Sequence, residues 1–362
     1  MNPRQTLSDP LPLTHGPAMR NRIMLAPLTN WQSHADGTLG EDEYHWLMMR
    51  AHGGYGLTMT CASHVQARGQ GFPGQLGSWS DAHIAGLRRL AHDIHATGSI
   101  CAVQLHHAGR RANTAVTGTA AVGPWDDAET GARAMSTAEV EQVIEDFILG
   151  ALRAQSAGFD GVELHSAHGY LLGQFLDVQN VQRSDGYGGS FDNRKRTLFE
   201  IIKGIRGRCT PSFQLGVRIS PERYGIPMHE SLALAQDLMH SKLLDYLDLS
   251  LWDVFKEPIE QDFKGKPLIS HFASLERGDT RIGVAGKIMD AATAQSCLQH
   301  GADFMLIGRG AMLHADFARR ALADPAFRAV PRPVSRAYLS EQGLSKPFVD
   351  YVASTWKGFV AD

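Results

Sequence analysis

Eight short runs rich in β-forming residues recur along the chain, each followed by a stretch whose apolar residues fall at helical spacing. The runs are Arg22–Pro27, Gly56–Cys61, Ile100–Leu105, Gly161–His165, Gln214–Ile219, Tyr246–Ser250, Arg281–Ala285 and Phe304–Ile307. Between the second and third, Ile84, Leu87, Leu90, Ala91 and Ile94 share one helical face. The next helical stretch opens with Ser136-Thr137-Ala138-Glu139, a capping box, and closes at Gly158. Strict alternation requires parallel strands, and eight strand–helix units in about 300 residues fit a closed barrel better than a doubly wound sheet. The expected fold is therefore α/β: a single (β/α)8 TIM barrel with an N-terminal cap, one domain over residues 1–362 and a barrel at about 20–325. A tail over 326–362 adds Tyr338, Phe348, Tyr351 and Trp356, which cover either the barrel or a neighbouring subunit, so a homo-oligomer stays open.

Composition narrows the partners. Of 362 residues, 43% are hydrophobic and 20% charged, with a formal charge of −3, which excludes a disordered chain and the basic footprint of a nucleic-acid binder. Small molecules are the expected partners. The basic run Asn193-Arg194-Lys195-Arg196 opens a helical pattern and reads as a solvated first turn. Met1–Pro17 lacks an apolar core of signal-peptide length, and no apolar stretch approaches a membrane span, so a cytoplasmic location is expected. Cys61, Cys101, Cys209 and Cys297 are widely separated and without a Cys-x-x-Cys, as expected of reduced packing residues.

Chemistry concentrates where strands end. In Gly158–Leu172 an apolar run stops at His165, followed by His168, Gly169 and Tyr170, so three hydrogen-bonding side chains sit within six residues at a strand's C-terminal end. That end is where a (β/α)8 barrel keeps its active site. Other ends read Ala26-Pro27-Leu28-Thr29, Gln104-Leu105-His106-His107-Ala108-Gly109-Arg110 and Val217-Arg218-Ile219-Ser220. The last two, Ala285-Gly286-Lys287 and Gly308-Arg309, set glycine beside a cation, which suits one phosphate: small residues let backbone N–H groups approach and the cation balances charge. Gly69-x-Gly71-x-x-Gly74 has the spacing of a dinucleotide fingerprint, but Pro73 interrupts it and no helix pattern follows, so it reads as a flexible loop over the mouth. A metal-dependent barrel with His106, His107, His165 and His168 as ligands is the rival reading, weakened because Glu163 lies a full repeat below the mouth.

These segments resemble the Old Yellow Enzyme family of flavin-dependent ene-reductases over roughly residues 10–325. The match is carried by Ala26–Thr29, by Gln104-Leu105-x-His107-Ala108-Gly109-Arg110, by His165-x-x-His168-Gly169-Tyr170, and by Gln174-Phe175-Leu176 through Asn180, Arg183, Asp185, Tyr187–Ser190 and Asn193-Arg194. The resemblance implies noncovalent FMN, with NADPH or NADH as reductant and an α,β-unsaturated carbonyl or nitro compound as substrate. It implies that Ala26, Pro27, Leu28, Thr29 and Ala62 border the flavin ring, that Gln104 bonds its pyrimidine edge and that Arg218 stabilises the reduced form. Ala285, Gly286, Lys287, Gly308 and Arg309 would hold the phosphate. His165 and His168 would bind the activating oxygen and Tyr170 would donate the proton. Trp31, where relatives often place a tyrosine, and His106 would line the substrate pocket, and Asp177-Val178 replaces a common Ser-Pro. Another FMN-dependent dehydrogenase or isomerase on this barrel is the nearest alternative.

Overall fold

The computed structural model describes residues 5–361. Eight parallel strands close on themselves: β1 (Ile23–Leu25), β2 (Leu57–His64), β3 (Ile100–His106), β4 (Gly161–Ser166), β5 (Gln214–Ile219), β6 (Tyr246–Ser250), β7 (Arg281–Ala285) and β8 (Phe304–Ile307). Each strand pairs with its sequence neighbour, and β1 closes the ring on β8 with Met24 opposite Leu306. The strands fall where the apolar runs place them, with two differences. β1 stops at Leu25, before Pro27, which has no N–H to give a ladder. β2 runs on to His64 past a register shift between Met59 and Ala62, because His64 donates its N–H to Leu76 O and accepts from Ser78 N–H in a ladder-like pair with the loop that follows.

The helices owe their ends to local chemistry. Ser136 and Glu139 form the capping box at the start of the helix Thr137–Ser156, and Gly158, at φ +91°, turns the chain out of it toward β4. Ser190 and Asp290 cap Phe191–Arg208 and Ala291–Gln299 more simply, their side chains accepting from the N–H of Asn193 and of Thr293. The apolar faces of these helices bury Val140, Val143, Phe147, Leu198, Ile201 and Ile205 against the outward side chains of the strands, Val103, Val162, Leu164 and Val217 among them.

Inside the barrel, size alternates around the ring. Tyr246 and Phe304 meet edge to face at 5.5 Å, and each faces a glycine: a Cβ on Gly216 would lie 2.1 Å from the Tyr246 ring, and one on Gly283 would lie 2.3 Å from Phe304. Met24, Leu57, Met59, Ile100 and Ala102 fill the rest of this layer, and the Leu11–Met19 bridge closes the bottom. His15 joins that cap to the barrel through its backbone N–H and ring, both on Asp245.

The C-terminal segment lies on its own barrel. Phe348 packs on Trp46, Tyr351 stacks on Trp31 at 5.5 Å, the Tyr338 hydroxyl donates to Leu313 O, and Ser345 N–H donates to Gln32 Oε1. Gly69, Gly71 and Gly74 form a loop that is packed and not free-standing: Gly69 abuts the His107 ring, and Gln75 ties the loop to Ala62 O and Gly71 N–H. Side chains there fill a space the glycine-rich sequence suggests is open. All four cysteines are free, and among the described residues no helix is long and apolar enough to cross a membrane.

Two histidines of this framework make stability sensitive to acid. Burial holds His64 down at about 4 and His107 at about 3. Below the ordinary histidine value the unfolded chain binds protons that the native state refuses, so stability falls as pH drops through about 6.5, by about 2 kcal/mol per histidine at pH 5. Urea unfolding at pH 7 and 5 should show a smaller pH loss in His64→Gln than in the parent; equal losses would mean His64 is not one of the groups that resist protonation.

Candidate active site

β4 sets the geometry of the mouth. Its alternation turns Val162 and Leu164 outward to the helices and Glu163 and His165 inward, and just beyond its end Gly169 and His168 take left-handed backbone, at φ +68° and +58°. A histidine rarely holds that conformation. Here Ser220 Oγ accepts from its N–H at 3.1 Å, and Arg111 donates to its carbonyl at 2.5 Å. The turn brings the His168 ring back over the barrel, with Nδ1 3.3 Å from His165 Nε2.

The other nitrogen of His168 lies 2.7 Å from Ser250 Oγ, at the end of β6. If the hydroxyl donates to Nε2, the proton of His168 sits on Nδ1, facing His165. Both imidazoles are held well below the ordinary histidine value, first by burial, then for His165 by His168 and His106, and for both by the cations Arg218 and Arg111, so both are neutral near pH 7. Tyr170 packs 5.2 Å from His165 and 4.4 Å from His106 by ring centroids, with the Arg111 guanidinium 4.6 Å from its ring. Burial pushes its hydroxyl up, so it stays protonated.

His106 belongs to the same cluster, and both its ring nitrogens are buried without a partner. Trp31, at φ +57°, lies under Tyr351, which also neighbours Tyr170. His107 points elsewhere: its Nε2 meets Gln66 and its Nδ1 accepts from Gly109 N–H, so the four histidines of the metal reading do not converge.

Below the histidines lies a polar layer inside the barrel. Gln104 Nε2 donates to Glu163 Oε1 at 2.7 Å, the two residues being register partners on β3 and β4. Arg218 Nε lies 2.8 Å from Asp248 Oδ2 but off the donor axis, an ion pair more than a hydrogen bond. Burial, then the Asp248 charge, pushes the Glu163 carboxyl up; burial also raises Asp248, against the pull of Arg218.

A cavity of about 470 Å³ opens beside His168 and Arg218, within the roughly 300–1,000 Å³ of ligand pockets. Ala26, Pro27, Leu28, Ala285, Gly286, Lys287, Gly308 and Arg309 border it, as the strand ends suggest. Thr29, Ala62 and Gln104 stand at the neighbouring ends of β1, β2 and β3, outside its lining. Lys287 is paired with Asp253 at 3.0 Å; among the described residues Arg309 has no ion pair. The donor set fits a flavin phosphate: two cations beside Gly308, where an added Cβ would meet nothing nearer than 3.4 Å. Sequence reasoning named Trp356 in a tail that covers either the barrel or a neighbouring subunit, and the structure sets it with Arg332, Thr355 and Lys357 on this cavity; those three, Ser250 and Asp248 were not reached. The Asp248-Leu249-Ser250 end was a visible signal, and the tail's aromatic residues were another.

Comparison with known proteins agrees with this geometry. The chain is 38% identical over 268 residues to probable NADH-dependent flavin oxidoreductase YqiG of Bacillus subtilis (strain 168), covering 70% of this chain and 71% of the relative. It is 34% identical over 324 residues to NADPH dehydrogenase of the same organism, covering 87% and 94%. The solved old yellow enzyme homologue from Zymomonas mobilis superposes with a TM-score of 0.79 at 26% identity, over 96% of this chain and 99% of that one. The model of the NADH:flavin oxidoreductase / NADH oxidase family matches residues 7–325, and with that match the chain is a member of this family, the Old Yellow Enzyme group of flavin-dependent oxidoreductases.

Proposed function

We propose that the protein is an FMN-dependent NAD(P)H ene-reductase that reduces the C=C bond of α,β-unsaturated carbonyl or nitro compounds. The observation that carries this reading is the facing pair His165 Nε2 and His168 Nδ1, 3.3 Å apart, with Tyr170 beside them. When each carries its proton on the nitrogen of that pair, the two neutral imidazoles give two N–H donors to one oxygen seated against them and stabilise the negative charge that develops there when the double bond accepts hydride. FMN, held noncovalently, supplies that hydride when bound, after reduction by the nicotinamide.

Each residue then has a stated task. Ser250 keeps the His168 proton on the nitrogen that faces the substrate oxygen. Tyr170, protonated and packed against His106 and His165, delivers a proton to the α-carbon. Arg218, balanced by Asp248, offers positive charge to the reduced cofactor, and Gln104, aligned by Glu163, bonds its pyrimidine edge. Lys287 and Arg309, with the backbone at Gly286 and Gly308, hold the phosphate. Trp31 and His106 shape the substrate side.

Among the described residues Arg309 has no ion pair and can grip phosphate oxygens with two N–H groups, whereas Lys287 is shared with Asp253. Arg309→Ala should lose FMN on gel filtration more readily than Lys287→Ala; full retention in Arg309→Ala would move the phosphate elsewhere. For catalysis, Tyr170→Phe removes a proton and little volume. Anaerobic flavin reduction by NAD(P)H should stay near normal, while reoxidation by cyclohexenone slows by roughly 10²–10⁴-fold. Stopped-flow traces of both half-reactions decide this: equal slowing would make Tyr170 a packing residue, and no slowing would assign the proton to another donor.

A further inference from the structure

We propose that Arg223 and Trp252, on the loops after β5 and β6, form the seat for the adenosine end of the nicotinamide cosubstrate: adenine stacks on Trp252, and Arg223 pairs with a phosphate. The inference rests on the flavin–nicotinamide reading above. The chain carries no working dinucleotide fingerprint, since Gly69, Gly71 and Gly74 belong to a packed loop. If the nicotinamide ring comes to His165 and His168, the rest of the molecule must lie along the rim of the same mouth.

One sector of the rim has the required chemistry. From His168 outward, the Tyr224 ring stands 6.3 Å away and closes on Gly169, where a Cβ would come within 2.9 Å of it. Next to Tyr224 is Arg223, whose guanidinium carbon sits 4.8 Å from the centre of the Trp252 ring. Trp252 is 58% exposed at φ +66°, an apolar surface and a strained backbone together at the edge of the cofactor cavity.

The charge on Arg223 is also available. Its neighbour Glu222 already accepts from Lys256 Nζ and from Ile259 N–H, the latter at 2.6 Å, so that carboxylate serves the next loop. Among the described residues Arg223 makes no ion pair, and its Nε is buried without a partner. An unpaired guanidinium beside an exposed indole matches a purine next to a phosphate: the ring stacks, and the planar fork pairs with oxygens. Either the pyrophosphate or a 2′-phosphate supplies that chemistry.

The test is calorimetric titration of the FMN-loaded enzyme with 1,4,5,6-tetrahydro-NADPH and tetrahydro-NADH, which bind without reducing the flavin. Anaerobic reduction by 1-benzyl-1,4-dihydronicotinamide, which has no adenosine, runs alongside. Trp252→Ala should raise Kd for both tetrahydro cofactors about tenfold, and more than it raises the half-saturating concentration of the benzyl compound. Arg223→Ala should raise Kd for the NADPH analogue alone if it meets the 2′-phosphate, or for both analogues if it meets the pyrophosphate. Unchanged Kd values in both variants overturn the proposal. So does a parallel loss with the benzyl compound, and so does a Trp252→Ala variant whose only change is its oligomeric state. Reduction of the parent flavin by the benzyl compound reports on the flavin reading by itself, which keeps the two failures apart.

Discussion

Closing eight strands into a ring obliges every second side chain to point into a space that other side chains must fill. The lower part of that space is solved by size, with Tyr246 and Phe304 set against Gly216 and Gly283. The upper part is solved by polarity. Gln104, Glu163, Arg218 and Asp248 occupy inward positions at the top of the sheet, and an ion pair together with a raised carboxyl keeps the layer tolerable without water's dielectric. On that floor His165 points upward into the mouth, one repeat above Glu163 on the same face of the same strand.

The mouth is also where the backbone is strained. Among the described residues seven that are not glycine have positive φ, and six of them, Trp31, His168, Glu222, Tyr224, Trp252 and Lys287, follow the ends of β1, β4, β5, β6 and β7; Lys242 is the exception. Such conformations persist where neighbours over-determine them. For His168 the neighbours are Ser220 and Arg111; for Glu222 they are Lys256 and the Ile259 amide. The fixed backbone holds the His168 ring facing His165.

The strands were legible because short runs with apolar residues on the face toward the helices are bounded by polar turns, as Val162–Leu164 and Val217–Ile219 are, even with Glu163 and Arg218 on the inner face. The His165-x-x-His168-Gly169-Tyr170 run was legible because its members are close in sequence. Less legible was whatever depends on which strand lies beside which: that Ser250 reaches His168, that Asp248 balances Arg218, or that His106 leans on Tyr170. The loop at Gly69–Gly74 misled in the other direction, since glycines that admit the His107 ring look, as letters, like glycines that permit movement. The tail gave aromatic composition but no address; Tyr351 found Trp31 across more than three hundred residues of chain.

Arg332, Thr355, Trp356 and Lys357 line the cavity beside Arg218, and all of them follow the last strand in sequence. A ribosome therefore delivers the complete ring of strands before it delivers the residues that complete the cavity wall. What anchors that wall lies away from it: Phe348 on Trp46 and Tyr351 on Trp31 tie the segment to the barrel, and none of these four rings borders the cavity. The strand ends that shape the cavity and the segment that completes it are in this way separated in time by chain order alone.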